Sequence, residues 1–101
     1  MARFRLSGTA RVDLKAIYRQ GEEQFGLKRA DAYSAGLITA FNLIADYPLL
    51  SRLRDEIPSP VRVHPYRSQV IVYAIDTTGV LILRIRHPHE DWIDNPVGDP
   101  G

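Results

Sequence analysis

The sequence predicts an α+β domain in which an antiparallel helical hairpin lies on an antiparallel sheet. Three observations carry that expectation. Apolar residues recur at intervals of three and four along two successive stretches before residue 48. The junction between those stretches, near Gly26 and Leu27, is too short for anything but an antiparallel pair of helices. After residue 60 the apolar period drops to two, as a sheet requires.

Each element has its own local reason. Residues 3–7, Arg-Phe-Arg-Leu-Ser, alternate polar and apolar and read as a short strand with one buried face. Ser7 and Thr9 are both candidate N-caps for the helix that follows. That helix is expected over about 9–25, with Ala10, Leu14, Ile17, Tyr18, Gly21 and Phe25 inward and Arg11, Lys15, Arg19 and Glu22 toward water. Gly26 stands where a left-handed residue would stop it. Tyr33, Leu37, Ala40, Phe41 and Ile44 form the stripe of the second helix. It ends at Tyr47-Pro48, because a residue before proline avoids helical geometry.

Residues 48–60 hold Pro48, Pro58 and Pro60 and read as an irregular crossing. Three strands are expected beyond it. Val61–His64 is short, and Pro65 ends it or confines it to an edge. Gln69–Ile75 is apolar on both faces and therefore central. Asp76-Thr-Thr-Gly79 supplies a turn into Val80–Arg86. Alternation there puts Leu81, Leu83 and Ile85 on one face and Val80, Ile82, Arg84 and Arg86 on the other, the two arginines turned outward. Residues 1–93 are read as one domain, and 94–101, with nothing to bury, as a disordered tail.

Composition limits the function classes. The chain has 101 residues, 45% hydrophobic and 25% charged, which suits one soluble globular core of modest size. No cysteine is present, so thiolate catalysis and cysteine–zinc sites are excluded, and a reducing cytoplasm fits. The start, MARFRLSG, lacks the apolar stretch of a signal peptide, and no apolar run is long enough to span a membrane. A net charge of +1 argues against a nucleic-acid binder, so no sequence-specific DNA contact is expected of this chain. The distribution is uneven, however. Arg3, Arg5, Arg62, Arg67, Arg84 and Arg86 cluster in the strand regions against the single acid Asp76, whereas Glu90, Asp91, Asp94 and Asp99 follow them.

The order of short motifs resembles a known family. Phe4–Ser7 leading to Asp13-Leu14 and Ile17-Tyr18, then Phe25-Gly26, Ala30 and Tyr33, is similar to the N-terminal half of ParE toxins. Asp46-Tyr-Pro48, Arg54-Asp-Glu-Ile57, Val70–Tyr73, Val80, Leu83–His87 and Asp91-Trp92 continue that order, so that the likeness spans about residues 3–93. The resemblance implies a fold of the RelE/ParE superfamily and the toxin half of a type II toxin–antitoxin pair. It further implies a toxin that poisons DNA gyrase on cleaved DNA by binding, without cofactor or catalytic residues. A ParD-like antitoxin, whose own DNA-binding domain represses the operon, would hold it inactive. The alternative is a ribosome-dependent mRNA endonuclease similar to RelE. Those enzymes use basic residues, including an arginine three positions before the central-strand tyrosine, and often a C-terminal tyrosine. Here Val70 precedes Tyr73 at that distance and Trp92 is the C-terminal aromatic, which removes a cation that would stabilise charge on phosphate. A third reading keeps the fold as a regulatory binding module without toxicity.

Candidate sites follow. His87, His89, Glu90 and Asp91 suggest a metal or acid–base site, but Pro88 interrupts the strand between the histidines and His64 lies on another strand, so no metal site is assigned. Arg84, Arg86, His87, Asp91 and Trp92 are the expected contacts with gyrase, since they cluster at the end of the last strand. Val12, Leu27, Ile38, Leu43, Leu49 and Leu50 flank the helical stripes and are the expected antitoxin surface. Edge strands at Arg3–Leu6 or Val61–His64 offer places for an added strand.

Overall fold

The computed structural model describes residues 4–55 and 60–88. Strand β1 (Phe4–Leu6) runs into helices α1 (Gly8–Phe25) and α2 (Leu27–Asp46). The short strand β2 (Leu53–Arg54) and the strands β3 (Val61–Tyr66), β4 (Gln69–Asp76) and β5 (Gly79–Arg86) follow. The five strands form one sheet in the order β1-β5-β4-β3-β2.

The helical hairpin is built as its sequence dictates. Ser7 caps α1 in extended geometry, its Oγ accepting the Ala10 N–H at 3.0 Å. Gly26, at φ 88°, joins the helices in a conformation that side chains resist, and its N–H closes the last turn of α1 on the Glu22 carbonyl. Tyr18 donates to the Asp31 carboxylate across the helices, and that bond pushes its pKa up to about 12. The stripe of α2 is buried as expected at Leu37, Ala40, Phe41 and Ile44. Phe25, the last member of the α1 stripe, is 60% exposed instead.

The sheet departs from the expectation in two ways. Four strands follow the helices, not three, because Leu53 and Arg54 pair antiparallel with Arg62 and Val61. A ladder of two residues leaves no periodicity in sequence, so the stretch 48–60 reads as irregular. The sheet is also mixed, since β1 pairs in parallel with β5, Phe4 to Val80 through Leu6 to Ile82. The helical hairpin supplies the crossover that parallel strands need. Pro65 remains inside β3, opposite Val70, but β2 reaches only Val61 and Arg62, so the proline occupies an edge stretch. Strand β4 is central, as its two apolar faces require.

A bulge changes the reading of β5. Tyr73 pairs with Ile82 and Val72 with Arg84, leaving Leu83 as the extra residue. Period-two alternation is therefore reset. Val80, Ile82 and Ile85 join Ile71, Tyr73, Leu37 and Phe41 in the core under the helices, whereas Leu83 joins Val61, Val70 and Val72 in a second cluster. The expected grouping of Leu83 with Ile85 fails for this reason. The bulge frees backbone groups, and the start of α1 takes them up. Ser7 donates its N–H to the Ile82 carbonyl at 2.9 Å and its hydroxyl to the Leu83 carbonyl at 2.9 Å.

Candidate functional site

The bulged end of β5 holds an ionic cluster built around Asp13, in the second turn of α1. The residue is 8% exposed and is the one charged residue buried among the described residues. Its carboxylate accepts the Ile85 N–H at 3.0 Å and Arg84 Nε at 3.0 Å. Arg84 Nη2 lies at 3.5 Å and Arg86 Nη1 at 3.6 Å. Burying a carboxylate is tolerable only with such partners, and the backbone donor fixes the geometry. The side chains of Arg84 and Arg86 are 13% and 27% exposed. They do not simply turn outward, as alternation along the strand suggests, because the bulge and Asp13 draw both to the start of α1. Arg86 is the more open of the two and leads directly into exposed His87. Asp91, Trp92, His89 and Glu90 lie outside the described residues, as does the segment 94–101. Among the described residues no three metal-ligating side chains come together.

The other arginines are dispersed. Arg5 pairs with Asp76, whose carboxyl is held below the usual carboxylate range chiefly by that guanidinium and then by Thr78. Arg62 lies two strands from β5 and donates to the Ser51 carbonyl at 2.7 Å. Arg67 stacks over Tyr66, and Arg3 lies outside the described residues. Among the described residues, one continuous basic field across β1, β3 and β5 does not form.

The six apolar residues read as extra surface are all exposed: Val12, Leu27, Ile38, Leu43, Leu49 and Leu50. They are not one patch. Leu27 opens α2 at the hairpin tip, roughly 24 Å along the helix from Leu43, given 1.5 Å per residue. Leu43, Tyr47, Leu49, Leu50 and Leu53 are exposed at the opposite end, next to the β2 edge. Tyr47 and Leu53 extend that surface beyond the residues expected from sequence; their neighbours in Tyr47–Leu50 were the available signal.

A polar latch holds this apolar end in place. Tyr73, fully buried, donates its hydroxyl to the Pro48 carbonyl at 2.8 Å and receives the Ser51 N–H at 3.4 Å. Arg62 grips the Ser51 carbonyl, and Ser51 Oγ lies 3.4 Å from His64 Nδ1. Partial burial lowers the His64 pKa below that of a free imidazole. The chain that carries Leu49 and Leu50 is thus tied to β3 and β4 on either side of the two exposed leucines. Ser51, His64 and Tyr73 as a unit escape sequence reading, since they come from three separate elements.

No described helix is long and apolar enough to cross a membrane. Residues 4–92 match the family model of the ParE toxin of the type II toxin–antitoxin system parDE. Toxin ParE1 of Caulobacter vibrioides is 28% identical over 87 residues, covering 86% of this chain and 90% of the relative. A structure described as the chromosomal ParDE toxin–antitoxin system from P. aeruginosa has the same fold, with a TM-score of 0.73 at 19% identity over 86% of this chain and 96% of that one. The strand–hairpin–sheet order, with its Asp13-bound β5, is therefore that of a chain belonging to the ParE toxin family of type II toxin–antitoxin systems.

Proposed function

We propose that this toxin acts by binding DNA gyrase and stabilising its cleaved-DNA complex, without catalysis of its own, and that a ParD-like antitoxin neutralises it. The observation that carries this reading is the family match over residues 4–92. The ParDE system to which the like-folded P. aeruginosa chain belongs supports the antitoxin partner. Two features weigh against the RelE-like endonuclease. Val70 is a buried apolar residue where that branch carries an arginine, and the C-terminal aromatic is Trp92 where that branch often has a tyrosine.

The target contacts are assigned to the end of β5 and the segment after it, with Arg86, His87, Asp91 and Trp92 touching the enzyme. Arg84, nearly enclosed by Asp13, holds the strand end in position for them. The antitoxin takes the apolar surface, with Leu43, Leu49 and Leu50 as its main seat and Val12, Ile38 and Leu27 along its path. Cytoplasmic action follows from a gyrase target.

Purified gyrase with purified toxin, assayed for supercoiling and for accumulated cleavage complexes, tests the reading beside translation-dependent mRNA cleavage. Loss of supercoiling with accumulated cleaved DNA is expected. Codon-positioned mRNA cuts on ribosomes, with gyrase unaffected, would favour the endonuclease. For the site, Arg86→Gln in a folded protein is expected to weaken poisoning while antitoxin binding is retained; undiminished poisoning would remove Arg86 from the interface.

A further inference from the structure

At the tip of the helical hairpin, the end of α1 and the start of α2 meet the β3–β4 turn across a cleft of about 390 Å³. Its walls are mostly apolar, with two tyrosines and a phenylalanine among them. Ile17 and Phe25 come from α1, Tyr33 from α2 and Tyr66 from β3, and the polar part of the lining is Arg29 and Arg67 together with Gln20, Gln24 and Ser68. Tyr33 and Tyr66 pack edge to face, their centroids 5.5 Å apart at 73°.

Four observations single out this cleft. The Tyr33 hydroxyl is buried and has no hydrogen-bond partner, a rare condition that a ligand atom would relieve. Burial raises its pKa, and the nearby Ser68 side chain offsets that shift without reaching bonding geometry. Arg67 sits at φ 52°, in the left-handed region where a non-glycine residue stores strain, and its guanidinium lies 5.7 Å from the Tyr66 ring centroid. Phe25 closes the inward stripe of α1 yet is 60% exposed beside the cleft. Finally, two guanidinium groups line the cleft and no carboxylate does, among the described residues.

We infer that this cleft is a docking pocket for a peptide segment of a protein partner, one that presents an aromatic side chain beside a carboxylate. The ring enters between Phe25, Ile17 and Tyr66, removing their apolar surface from water. The carboxylate accepts from Arg67 and Arg29 and from the Tyr33 hydroxyl, which lacks an acceptor in the unbound chain. The size agrees. Small-molecule clefts span roughly 300–1,000 Å³, and a volume at the bottom of that range suits one anchor side chain and its neighbour rather than a whole cofactor. The pocket is separate from the Asp13 cluster, since Asp13 and Phe25 are about 18 Å apart along α1 at 1.5 Å per residue. It does not depend on which target the toxin has, so failure of either reading leaves the other standing.

The test is a titration of the full ¹⁵N-labelled chain with the blocked peptide Ac-Asp-Phe-Asp-NH₂, its neutral counterpart Ac-Asn-Phe-Asn-NH₂, and inorganic phosphate. The acidic peptide is expected to shift the amides of Tyr33, Tyr66, Arg67 and Ser68 saturably, and to bind at least about fivefold more tightly than the neutral one. Arg29→Gln with Arg67→Gln, both at exposed positions, removes that difference while the circular dichroism spectrum is unchanged. Tyr33→Phe weakens the acidic peptide alone. Absence of saturable shifts, equal binding of the two peptides, or the same shifts from phosphate by itself would each overturn the assignment.

Discussion

Replacing Asp13 by alanine removes the acceptor on which the end of β5 is organised. The Ile85 N–H, bonded to Asp13 at 3.0 Å in a buried position, loses its partner, which costs about 1–3 kcal/mol. Arg84 and Arg86 lose their shared counter-ion while their side chains stay 13% and 27% exposed. Breaking a buried ion pair from one side costs roughly 3–5 kcal/mol altogether. Because Arg86 is partly solvated, the lower end applies, about 3 kcal/mol. At roughly 4–8 °C per kcal/mol for a domain near this size, the melting temperature should fall by at least about 12 °C. Asp13→Asn keeps an oxygen for Ile85 but drops the charge, so it should lose less, about 1–2 kcal/mol. Urea denaturation followed by circular dichroism, compared at constant slope, measures both. The double variant Asp13→Ala, Arg84→Met should recover part of the loss, since the stranded guanidinium goes with it. A loss below about 1 kcal/mol for Asp13→Ala would refute the reasoning, because it would mean that the cluster is no more than a surface pair.

Two further substitutions probe the packing and the latch. A Cβ on Gly36 would lie 1.9 Å from the Tyr66 hydroxyl oxygen, so Gly36→Ala should cost about 1–3 kcal/mol; adding Tyr66→Phe, which leaves a nearest contact of 3.2 Å, should return part of it in the same urea titration. His64 is held neutral by partial burial, so its folded pKa lies below the unfolded value of about 6.5. The unfolded chain then binds more protons in that interval, and stability, full above about pH 6.5, declines as the pH falls toward the folded pKa. His64→Gln should flatten this part of the denaturation midpoint's pH profile; an unaltered slope would place the titrating group elsewhere.

What the sequence determines by itself is local. The helical stripes, the Ser7 cap, the Gly26 junction, the central position of β4 and the Asp76–Gly79 turn all rest on contacts within a few residues or on periodicity, which a linear chain displays directly. The family likeness was legible for a related reason, since the order of such short motifs survives where each alone is unspecific. Exposure of Val12, Leu27, Ile38, Leu43, Leu49 and Leu50 could also be read, as apolar residues flanking the helical stripes. Tertiary structure alone decided the rest. The parallel pairing of β1 with β5 joins residues 76 positions apart in number, Phe4 and Val80, and nothing near either one announces it. The bulge at Leu83 shifts the phase of β5 without any glycine or proline to mark it, so alternation assigned Ile85 to the wrong partners. Asp13 enters the sequence reading only as part of a family-like motif, and Arg84 as an outward arginine; the fold alone brings them within 3.0 Å. Sequence carries the periods of its elements, but a phase reset by a bulge and an ion pair closed across the whole chain exist only once those elements have packed.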